Sequence, residues 1–490
     1  MKPDSRLPRL LALFGGPVVF VLLFLSVPDS YTTHEGTLAN LGLAGSISAG
    51  LAGWMAVWWL TEAMPLSVTA LLPLVVLPLS GAFAMKTASA PYAHPLIFLF
   101  LGGFLLALAL ERCGLHRRFA LVTLRAVGQR PDRIVGGFML VTALLSMWVS
   151  NTATAMMMLP IATSVLLLLR NQESENSLAI ALFLGIAYAA SIGGMGTLIG
   201  TPPNLYLASF AREHLHIEIS FVRWLAIGIP FVVLALPLAW WLLTRRLFRL
   251  EQKAIPGAAE LIEAKYNELG PMSRGERATL VVFLLTALAW VTRPLLLSIN
   301  IAGVSPLEHL TDTGVALIAA VALFVVPGSN GPLMDWKTAL RIPWGILLLF
   351  GGGLSLAMAL DSSGLGAYLG SIVGSLGVPP GLAIVVVVTT LVVFLTELTS
   401  NTATATTLLP ILAGIAPGMG LHPLLLAIPA TLAASCAFMM PVATPPNAIV
   451  FGTGRVPISQ MARAGLWLNI GGIVLITLVV WLLAGPVFGI

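Results

Sequence analysis

Long apolar tracts separated by short polar segments run through the whole chain. Eleven of these tracts have a length suited to a single helix, and they fall near residues 10–27, 46–60, 66–84, 96–110, 178–200, 221–244, 278–298, 313–327, 342–360, 422–443 and 464–486. A helix needs roughly 20 apolar residues to cross a bilayer. The pattern therefore predicts an all-α polytopic membrane protein with about eleven transmembrane helices.

Two further tracts, 134–169 and 381–418, are too long for one crossing. As a single helix each would be about 50 Å long, whereas the hydrocarbon core of a bilayer is about 30 Å thick. Both tracts are interrupted by the polar string Ser-Asn-Thr, at 150–152 and at 400–402, and the second also contains Glu397. We therefore predict two helical hairpins with Ser-Asn-Thr at the bend. Limbs that span and limbs that re-enter fit the pattern equally well, and we adopt the re-entrant form.

Composition excludes a soluble protein and indicates membrane lipid as a partner. Charged residues make up 9% of the chain and hydrophobic residues 58%, whereas a soluble domain carries about 25% charged residues. The net charge of +5 comes from basic residues in loops, so it does not indicate a nucleic-acid partner. The two cysteines, Cys113 and Cys436, are too few for a disulfide framework.

Basic residues also predict the orientation of the chain. Lysine and arginine are concentrated in segments 111–133 and 245–277, which the span count puts on the same side as the N-terminus. Segments 28–45 and 361–380 contain neither residue. Because cytoplasmic loops are enriched in lysine and arginine, we expect a cytoplasmic N-terminus and an outside C-terminus in the cell inner (plasma) membrane.

The two halves of the chain contain the same strings in the same order. "FLGGFLLALALERCGL" (100–115) aligns without gaps with "FGGGLSLAMALDSSGL" (350–365), with nine of sixteen residues identical. The Ser-Asn-Thr strings follow at the same offset, and "GTPPN" (200–204) then matches "ATPPN" (443–447). The polar loop 171–177 accounts for the change of offset. These matches predict two internal repeats.

The repeats are predicted to be inverted relative to each other. Arg133 and Arg170 flank the first hairpin, so it enters from the cytoplasm, whereas the second hairpin has neutral flanks and enters from outside. Inverted repeats with polar breaks at membrane depth are typical of secondary transporters. The predicted organisation is an N-terminal helix (1–40), a first repeat (41–246), a cytoplasmic linker (247–277) and a second repeat (278–490).

The polar breaks carry groups that bind ions. Serine, asparagine and threonine are good helix N-caps, and a helix start offers free N–H groups and a positive dipole end. The Thr-Pro-Pro-Asn strings also break a helix, and they put Asn204 and Asn447 next to the break. Helix starts bind anions, and unwound carbonyls and hydroxyls bind a small hard cation such as Na⁺. A single motif of this kind is usually a kink or a hydrogen-bonded cluster, but two symmetric pairs favour a binding site.

None of these motifs contains lysine or arginine. An anion with two charges that is held only by neutral dipoles is costly to desolvate. Cations bound beside the anion would compensate for its charge. The motifs therefore favour a site in which Na⁺ ions are bound together with a dianion.

At these residues the sequence resembles the divalent anion–sodium symporter family over nearly its whole length. The resemblance rests on "WWLTEAMPL" (58–66), both Ser-Asn-Thr strings and both Thr-Pro-Pro-Asn strings. It implies a homodimer in which each protomer has a scaffold part and a transport part. The transport part carries both hairpins and moves as an elevator.

The resemblance also implies roles for particular residues. It implies a first sodium site at Ser146, Ser150, Asn151 and Gly200, and a second at Thr396, Thr399, Asn401 and Ala443. Thr399 and Ala443 would contribute backbone carbonyls. It implies that substrate carboxylates meet Asn151, Thr152, Thr201, Pro202, Asn401, Thr402, Thr444 and Pro445. The two halves differ where Gly200 corresponds to Ala443 and Ser146 to Thr396, and both differences preserve the oxygens that a cation needs.

The leading hypothesis is sodium-coupled symport of a C4-dicarboxylate such as succinate, malate or fumarate. Two alternatives remain open: a sodium-independent dicarboxylate or citrate exchanger, and a transporter of sulfate or another oxyanion with the same fold. An enzyme is disfavoured, because no histidine pairs with a carboxylate in a recognisable catalytic motif.

Two acidic residues, Glu62 and Glu397, lie within apolar surroundings. Acids inside a membrane are candidates for function, although each can also cap a helix or pair structurally. Glu397 lies three residues before Ser400. We expect it to tune the second hairpin or to carry a proton, and we assign no substrate role to either acid.

Overall fold

The structure is a computed structural model that describes residues 6–32, 38–168, 175–250, 255–300, 304–329, 331–375 and 381–490. Arg170 and most of the polar loop 171–177, which entered the arguments on orientation and repeats, lie outside the described residues. Within the described ranges, eight helices are long and apolar enough to cross a membrane: Gly42–Thr61, Met85–Arg112, Asn176–Gly194, Phe221–Leu247, Arg274–Leu297, Trp344–Ser362, Asn401–Met419 and Ile458–Phe488.

The first part of the chain contains twelve of the described helices. They are α1 (Arg6–Ser26), α2 (Gly42–Thr61), α3 (Leu66–Thr69), α4 (Leu72–Leu79), α5 (Met85–Ser89), α6 (Pro95–Arg112), α7 (Leu115–Val127), α8 (Pro131–Ser146), α9 (Asn151–Leu167), α10 (Glu175–Gly194), α11 (Pro202–His214) and α12 (Phe221–Trp241). A short antiparallel hairpin of β1 (Ser30–Thr32) and β2 (Leu38–Asn40) joins α1 to α2, with Tyr31 opposite Ala39.

The second part of the chain contains the remaining described helices. They are α13 (Ala258–Asn267), α14 (Arg274–Leu297), α15 (Asp312–Val325), α16 (Trp336–Ala339), α17 (Trp344–Ser362), α18 (Leu365–Ser375), α19 (Leu382–Thr396), α20 (Asn401–Ile415), α21 (Leu424–Ala434), α22 (Pro445–Gly452) and α23 (Ile458–Phe488). The order of elements from α17 to α23 repeats the order from α6 to α12.

Both long tracts break at the Ser-Asn-Thr string. In the first tract α8 ends at Ser146 and α9 begins at Asn151, because Ser150 has a non-helical ψ of 141° and its side chain caps the new helix. In the second tract α19 ends at Thr396 and α20 begins at Asn401, after Ser400 with a ψ of 134°. The chain thus presents two pairs of helical limbs, α8–α9 and α19–α20.

The Thr-Pro-Pro-Asn strings also begin new helices. Thr201 and Thr444 are extended, and in each case a proline occupies the first helical position, where its missing N–H is not needed. The tract predicted at 178–200 therefore continues as a second helix, α11. The tract 422–443 becomes α21, a non-helical stretch and α22.

The tract 66–84, predicted as one span, forms the two short helices α3 and α4. Pro73 lies in the first turn of α4, where it cannot donate a hydrogen bond to an earlier turn and so prevents one continuous helix. The sequence pattern gave no indication of α7, α13 and α18, which are too short to appear as apolar tracts.

The hairpin of each half packs against broken helices from both halves. The limbs α8 and α9 contact α10 of their own half, and α19 and α20 contact α21 of theirs. In addition, α9 contacts α22 and α20 contacts α11. This crossed packing brings the starts of helices from the two repeats into one bundle.

Candidate functional site

The first polar cluster lies where α8 ends. Ser146 Oγ is 2.6 Å from Asn151 Oδ1 and 2.7 Å from the carbonyl oxygen of Ala190 in α10. Both neighbours are acceptors, and a hydroxyl has a single hydrogen to donate. Three oxygens therefore share one proton, and the cluster keeps lone pairs that a hard cation can use.

Two glycines lie against this cluster, at positions where the second half has Ala437 and Ala443. A Cβ atom at Gly194 would be 2.7 Å from Asn151 Oδ1 and 3.1 Å from the Gly200 carbonyl oxygen. A Cβ atom at Gly200 would be 2.4 Å from the Gly194 carbonyl oxygen. The Gly200 carbonyl and the Asn151 amide thus lie on the same side of Gly194, and both belong to the predicted first sodium site.

The second cluster has the same arrangement where α19 ends. Thr396 Oγ1 is 2.9 Å from Asn401 Oδ1 and 2.7 Å from the carbonyl oxygen of Ala434 in α21. Thr396 is fully buried. Again one hydroxyl hydrogen lies among three oxygens, so the second cluster also has lone pairs to spare.

Ser150 and Thr399 use their side chains within their own hairpins. Ser150 Oγ accepts a hydrogen bond from the Ala153 amide (3.2 Å). Thr399 Oγ1 is 2.7 Å from Thr404 Oγ1 and donates to a backbone carbonyl one turn earlier (3.0 Å). The Thr399 hydroxyl is therefore engaged within its own hairpin, and the family resemblance assigns the sodium site its backbone carbonyl. The resemblance also assigns to this site the carbonyl of Ala443, which has no side-chain oxygen.

Asn204 and Asn447 hold the unwound segments in place. Asn204 Nδ2 donates to the carbonyl oxygens of Thr197 (2.8 Å) and Gly194 (3.2 Å). Asn447 Nδ2 donates to those of Met440 (3.0 Å) and a residue three positions earlier (3.1 Å). The amide oxygens of both asparagines are buried and accept no hydrogen bond from the described residues. These side chains fix the backbone carbonyls between the paired helices.

The predicted substrate-binding residues lie at the starts of four helices. Asn151 and Thr152 begin α9, Thr201 and Pro202 lie at the start of α11, Asn401 and Thr402 begin α20, and Thr444 and Pro445 lie at the start of α22. The first turns of α9 and α20 are half-buried, and both threonines before the prolines are buried. Packing places α9 against α22 and α20 against α11, and Tyr206 of α11 also donates a hydrogen bond to the Thr406 carbonyl oxygen in α20 (3.4 Å).

Three cavities approach the hairpins to different depths. A cavity of about 260 Å³ is lined by Val149, Ala153 and Thr154, so it reaches the first turn of α9. A larger cavity of about 570 Å³ lies beside α20 but reaches only Pro410 and Ala413, more than two turns beyond Asn401. The third cavity, also of about 260 Å³, is lined by Leu145, Trp148 and Val149, so both smaller cavities adjoin the first hairpin bend and the larger one does not.

The two acidic residues singled out from the sequence differ in the structure. Glu62 is exposed, because α2 ends at Thr61 and Glu62 follows it in the left-handed conformation (φ 49°). Its expected burial is therefore wrong. Glu397 is buried and lies directly beside the second cluster, since it follows Thr396.

Some members of the clusters could not be found from the sequence. The carbonyl oxygens of Ala190 and Ala434 come from alanines inside apolar helices and carry no sequence signal. Gly194 is one of many glycines in the chain. The internal repeat does not single out Gly194 either, because the matching position before the Thr-Pro-Pro-Asn string of the second half is Ala437.

Hairpins and broken helices that surround oxygen clusters in an apolar helical bundle define a class of protein, the helical membrane transporters. The chain belongs to the family described as the sodium:sulfate symporter transmembrane region, whose family model matches residues 20–490. This match confirms the family resemblance noted from the motifs.

Relatives of known name agree with this membership. The chain is 44% identical to the sodium-dependent dicarboxylate transporter SdcS of Staphylococcus saprophyticus, over 98% of this chain and 92% of the relative. It is 42% identical to SdcS of Staphylococcus aureus, over 100% of this chain and 94% of the relative.

Two solved structures share the fold. The YdaH transporter of Alcanivorax borkumensis matches with a TM-score of 0.61 and 16% identity, over 96% of this chain and 97% of the other. MtrF of Neisseria gonorrhoeae matches with a TM-score of 0.58 and 11% identity, over 97% and 93%.

Proposed function

We propose that this protein is a sodium-coupled symporter of C4-dicarboxylates such as succinate, malate and fumarate. The observation that carries the proposal is the pair of matching clusters in which three oxygens share one proton. Such clusters leave oxygen lone pairs that a small hard cation can use. The relatives with 44% and 42% identity are named sodium-dependent dicarboxylate transporters, which supports both the ion and the substrate.

The substrate binds at the starts of α9, α11, α20 and α22, in our proposal. Free N–H groups at helix starts favour anions, and Asn151, Thr152, Asn401 and Thr402 add amide and hydroxyl donors to the two carboxylates. The four motifs contain no lysine or arginine. Sodium ions at Ser146, Ser150, Asn151 and Gly200, and at Thr396, Thr399, Asn401 and Ala443, therefore supply the positive charge that the dianion needs.

The proposed architecture has about eleven transmembrane segments, one of them broken into α3 and α4, and two re-entrant hairpins in inverted repeats, with the domain bounds given above. The N-terminus is cytoplasmic and the C-terminus is outside. The crossed packing of α9 on α22 and of α20 on α11 supports a single transport unit that contains both hairpins and moves as an elevator. In this scheme the cavity that reaches the first turn of α9 opens toward the cytoplasm. Two protomers form the dimer through their scaffold parts.

Uptake of labelled succinate into proteoliposomes tests the proposal. With an inward Na⁺ gradient we expect accumulation that stops when choline replaces Na⁺. An inside-negative potential should increase it if net positive charge moves inward, since the potential contributes about 2.3 kcal/mol per charge per 100 mV. Uptake that is unchanged in choline would contradict symport and favour the sodium-independent exchanger.

Sulfate is a second candidate substrate, because the matching family model is named for sodium and sulfate. Competition decides between the two anions in the same vesicles. If succinate is the substrate, excess unlabelled sulfate leaves succinate uptake intact, whereas excess malate or fumarate suppresses it. Suppression by sulfate at lower concentration than by malate would reverse the assignment.

A further inference from the structure

The carboxylate of Glu397 is bound to three consecutive backbone amides. Its Oε1 accepts hydrogen bonds from the N–H groups of Phe438 (2.7 Å) and Met439 (2.9 Å). Its Oε2 accepts from Met439 (3.0 Å) and Met440 (3.0 Å). These amides belong to the non-helical stretch between α21 and α22, so one side chain of the hairpin α19–α20 holds this stretch.

A second helix completes the arrangement. Asn469 of α23 is fully buried and donates its Nδ2 to Glu397 Oε1 at 2.7 Å. The same helix approaches the stretch closely, because a Cβ atom at Gly465 would be 2.3 Å from the Phe438 carbonyl oxygen. The stretch around Phe438 is thus held between α23 and the end of α19.

The bound amides connect directly to the second cluster. Met440 donates its N–H to Glu397, and its carbonyl oxygen accepts from the Ala443 amide (3.2 Å) and from Asn447 Nδ2 (3.0 Å). On the other side, Glu397 is the residue after Thr396. Glu397 therefore links the hydroxyl of Thr396 to the backbone of Ala443, the two groups proposed to bind the second sodium ion from opposite elements.

In the first half, no acid among the described residues links the hairpin to the broken helix. The position that corresponds to Glu397 is Met147. Its carbonyl oxygen accepts from Thr197 Oγ1 (2.5 Å), and its side chain packs near Gly196, where a Cβ atom would be 2.9 Å from Met147 Cε. The Thr197 hydroxyl and the apolar packing of Met147 thus join the first hairpin to its broken helix. In the second half, the buried Glu397 makes this connection.

We infer that Glu397 is a positioning residue for the second sodium site, through its hydrogen bonds to the amides of residues 438–440 and to Asn469. The inference rests on the proposed function, because it concerns the sodium site proposed there. Hydrogen bonds to a carboxylate are roughly twice as strong as neutral ones. They therefore hold the Ala443 carbonyl at a fixed distance from Thr396 while the site is empty.

Glu397→Gln is the informative substitution. Glutamine has nearly the same shape, but it replaces one acceptor oxygen by an NH₂ group, which cannot accept from the facing amides. Up to half of the backbone hydrogen bonds are lost while the volume is kept. Glu276→Gln is the control, because Glu276 is a second buried glutamate with a bound carboxylate, in an ion pair with Arg118 (2.7 Å), but it lies on α14.

The experiment is a Na⁺ titration of thermal stability on the purified full chain without dicarboxylate, since a ligand stabilises the state that it binds. In Glu397→Gln we expect the Na⁺ concentration for half of the stabilisation to rise about tenfold or more. The succinate KM measured at saturating Na⁺ should stay within about twofold of wild type. Glu276→Gln should lower the unfolding temperature without Na⁺ and leave the Na⁺ midpoint unchanged.

The outcomes separate the two levels of the proposal. A wild-type protein that Na⁺ does not stabilise would overturn the proposed function. A wild-type protein that Na⁺ stabilises, with an unchanged midpoint in Glu397→Gln, would overturn only the role of Glu397. If Glu397→Gln does not fold, Asn469→Ala removes one of the hydrogen bonds and keeps the charge. Its midpoint should rise about threefold, and an unchanged midpoint would also overturn the inference.

Discussion

A single methyl group at Gly194 should disable the first oxygen cluster without unfolding the protein. The Cβ of alanine would be 2.7 Å from Asn151 Oδ1, whereas an ordinary contact begins near 3.4 Å. The difference requires the amide to move by about 0.7 Å. The amide lies at the end of a rotatable side chain and can move at little cost, whereas the Gly200 carbonyl oxygen, 3.1 Å from the same Cβ, must shift by a few tenths of an ångström. Gly194 ends α10, and alanine is the better helix former by about 1 kcal/mol.

We expect Gly194→Ala to impair transport, because the groups of a binding site must be held to within about 0.5 Å of their working positions. A displacement of about 0.7 Å exceeds this tolerance, and misplacement by 1 Å can reduce a rate about 100-fold. For Gly194→Ala we expect Na⁺-driven succinate uptake to fall by about 10- to 100-fold at low Na⁺. The assay is initial uptake into proteoliposomes, normalised to the amount of inserted protein, over a series of Na⁺ concentrations.

Gly452→Ala is the matched control. Gly452 ends the short helix α22, and a Cβ atom there would meet nothing within 4 Å. This variant should transport like wild type. Uptake by Gly194→Ala within about twofold of wild type, with the same Na⁺ dependence, would refute the steric reasoning and with it the placement of Asn151 in the first sodium site.

Three further predictions concern the clusters and the surrounding framework. Asn151→Ala and Asn401→Ala should each abolish uptake, while the protein still elutes as a folded species in size-exclusion chromatography. Near-normal Na⁺-dependent uptake by either variant would show that its asparagine has only a structural role. Asn204→Ala leaves buried carbonyls unpaired, so it should lower the free energy of unfolding by about 1–3 kcal/mol, which thermal unfolding will measure as a lower midpoint. Arg118→Leu should lower the free energy of unfolding by about 1.5–3 kcal/mol. Adding Glu276→Leu should recover part of this loss, since the second change removes the unpaired acid. Additive losses in the thermal unfolding of the double variant would contradict this coupling.

The hairpin bends are the feature that could be predicted most directly from residues. Two tracts were too long for one helix, and each contained the same polar string of good N-cap residues, Ser-Asn-Thr, so the break was expected there. The structure has α9 beginning at Asn151 and α20 at Asn401, as this reasoning requires. Local chemistry was sufficient because a helix break depends on the capping residues and on length.

Contacts between elements that are far apart in the sequence could not be predicted from local residue patterns. The third oxygen of each cluster is a backbone carbonyl, of Ala190 or Ala434, and every residue has a carbonyl, so sequence does not distinguish these two. The packing of α9 on α22 likewise depends on how the halves fit together.

Glu397 shows the division between the two kinds of information. From the sequence it was an acid near the second hairpin, free to tune that hairpin or to carry a proton. Folding brings three amides and Asn469 to its two oxygens. The sequence thus determined the composition of the membrane bundle, the places where its helices break and the residue types at those breaks. Only the tertiary structure decided which oxygens and amides meet there, because those contacts join atoms that are far apart along the chain.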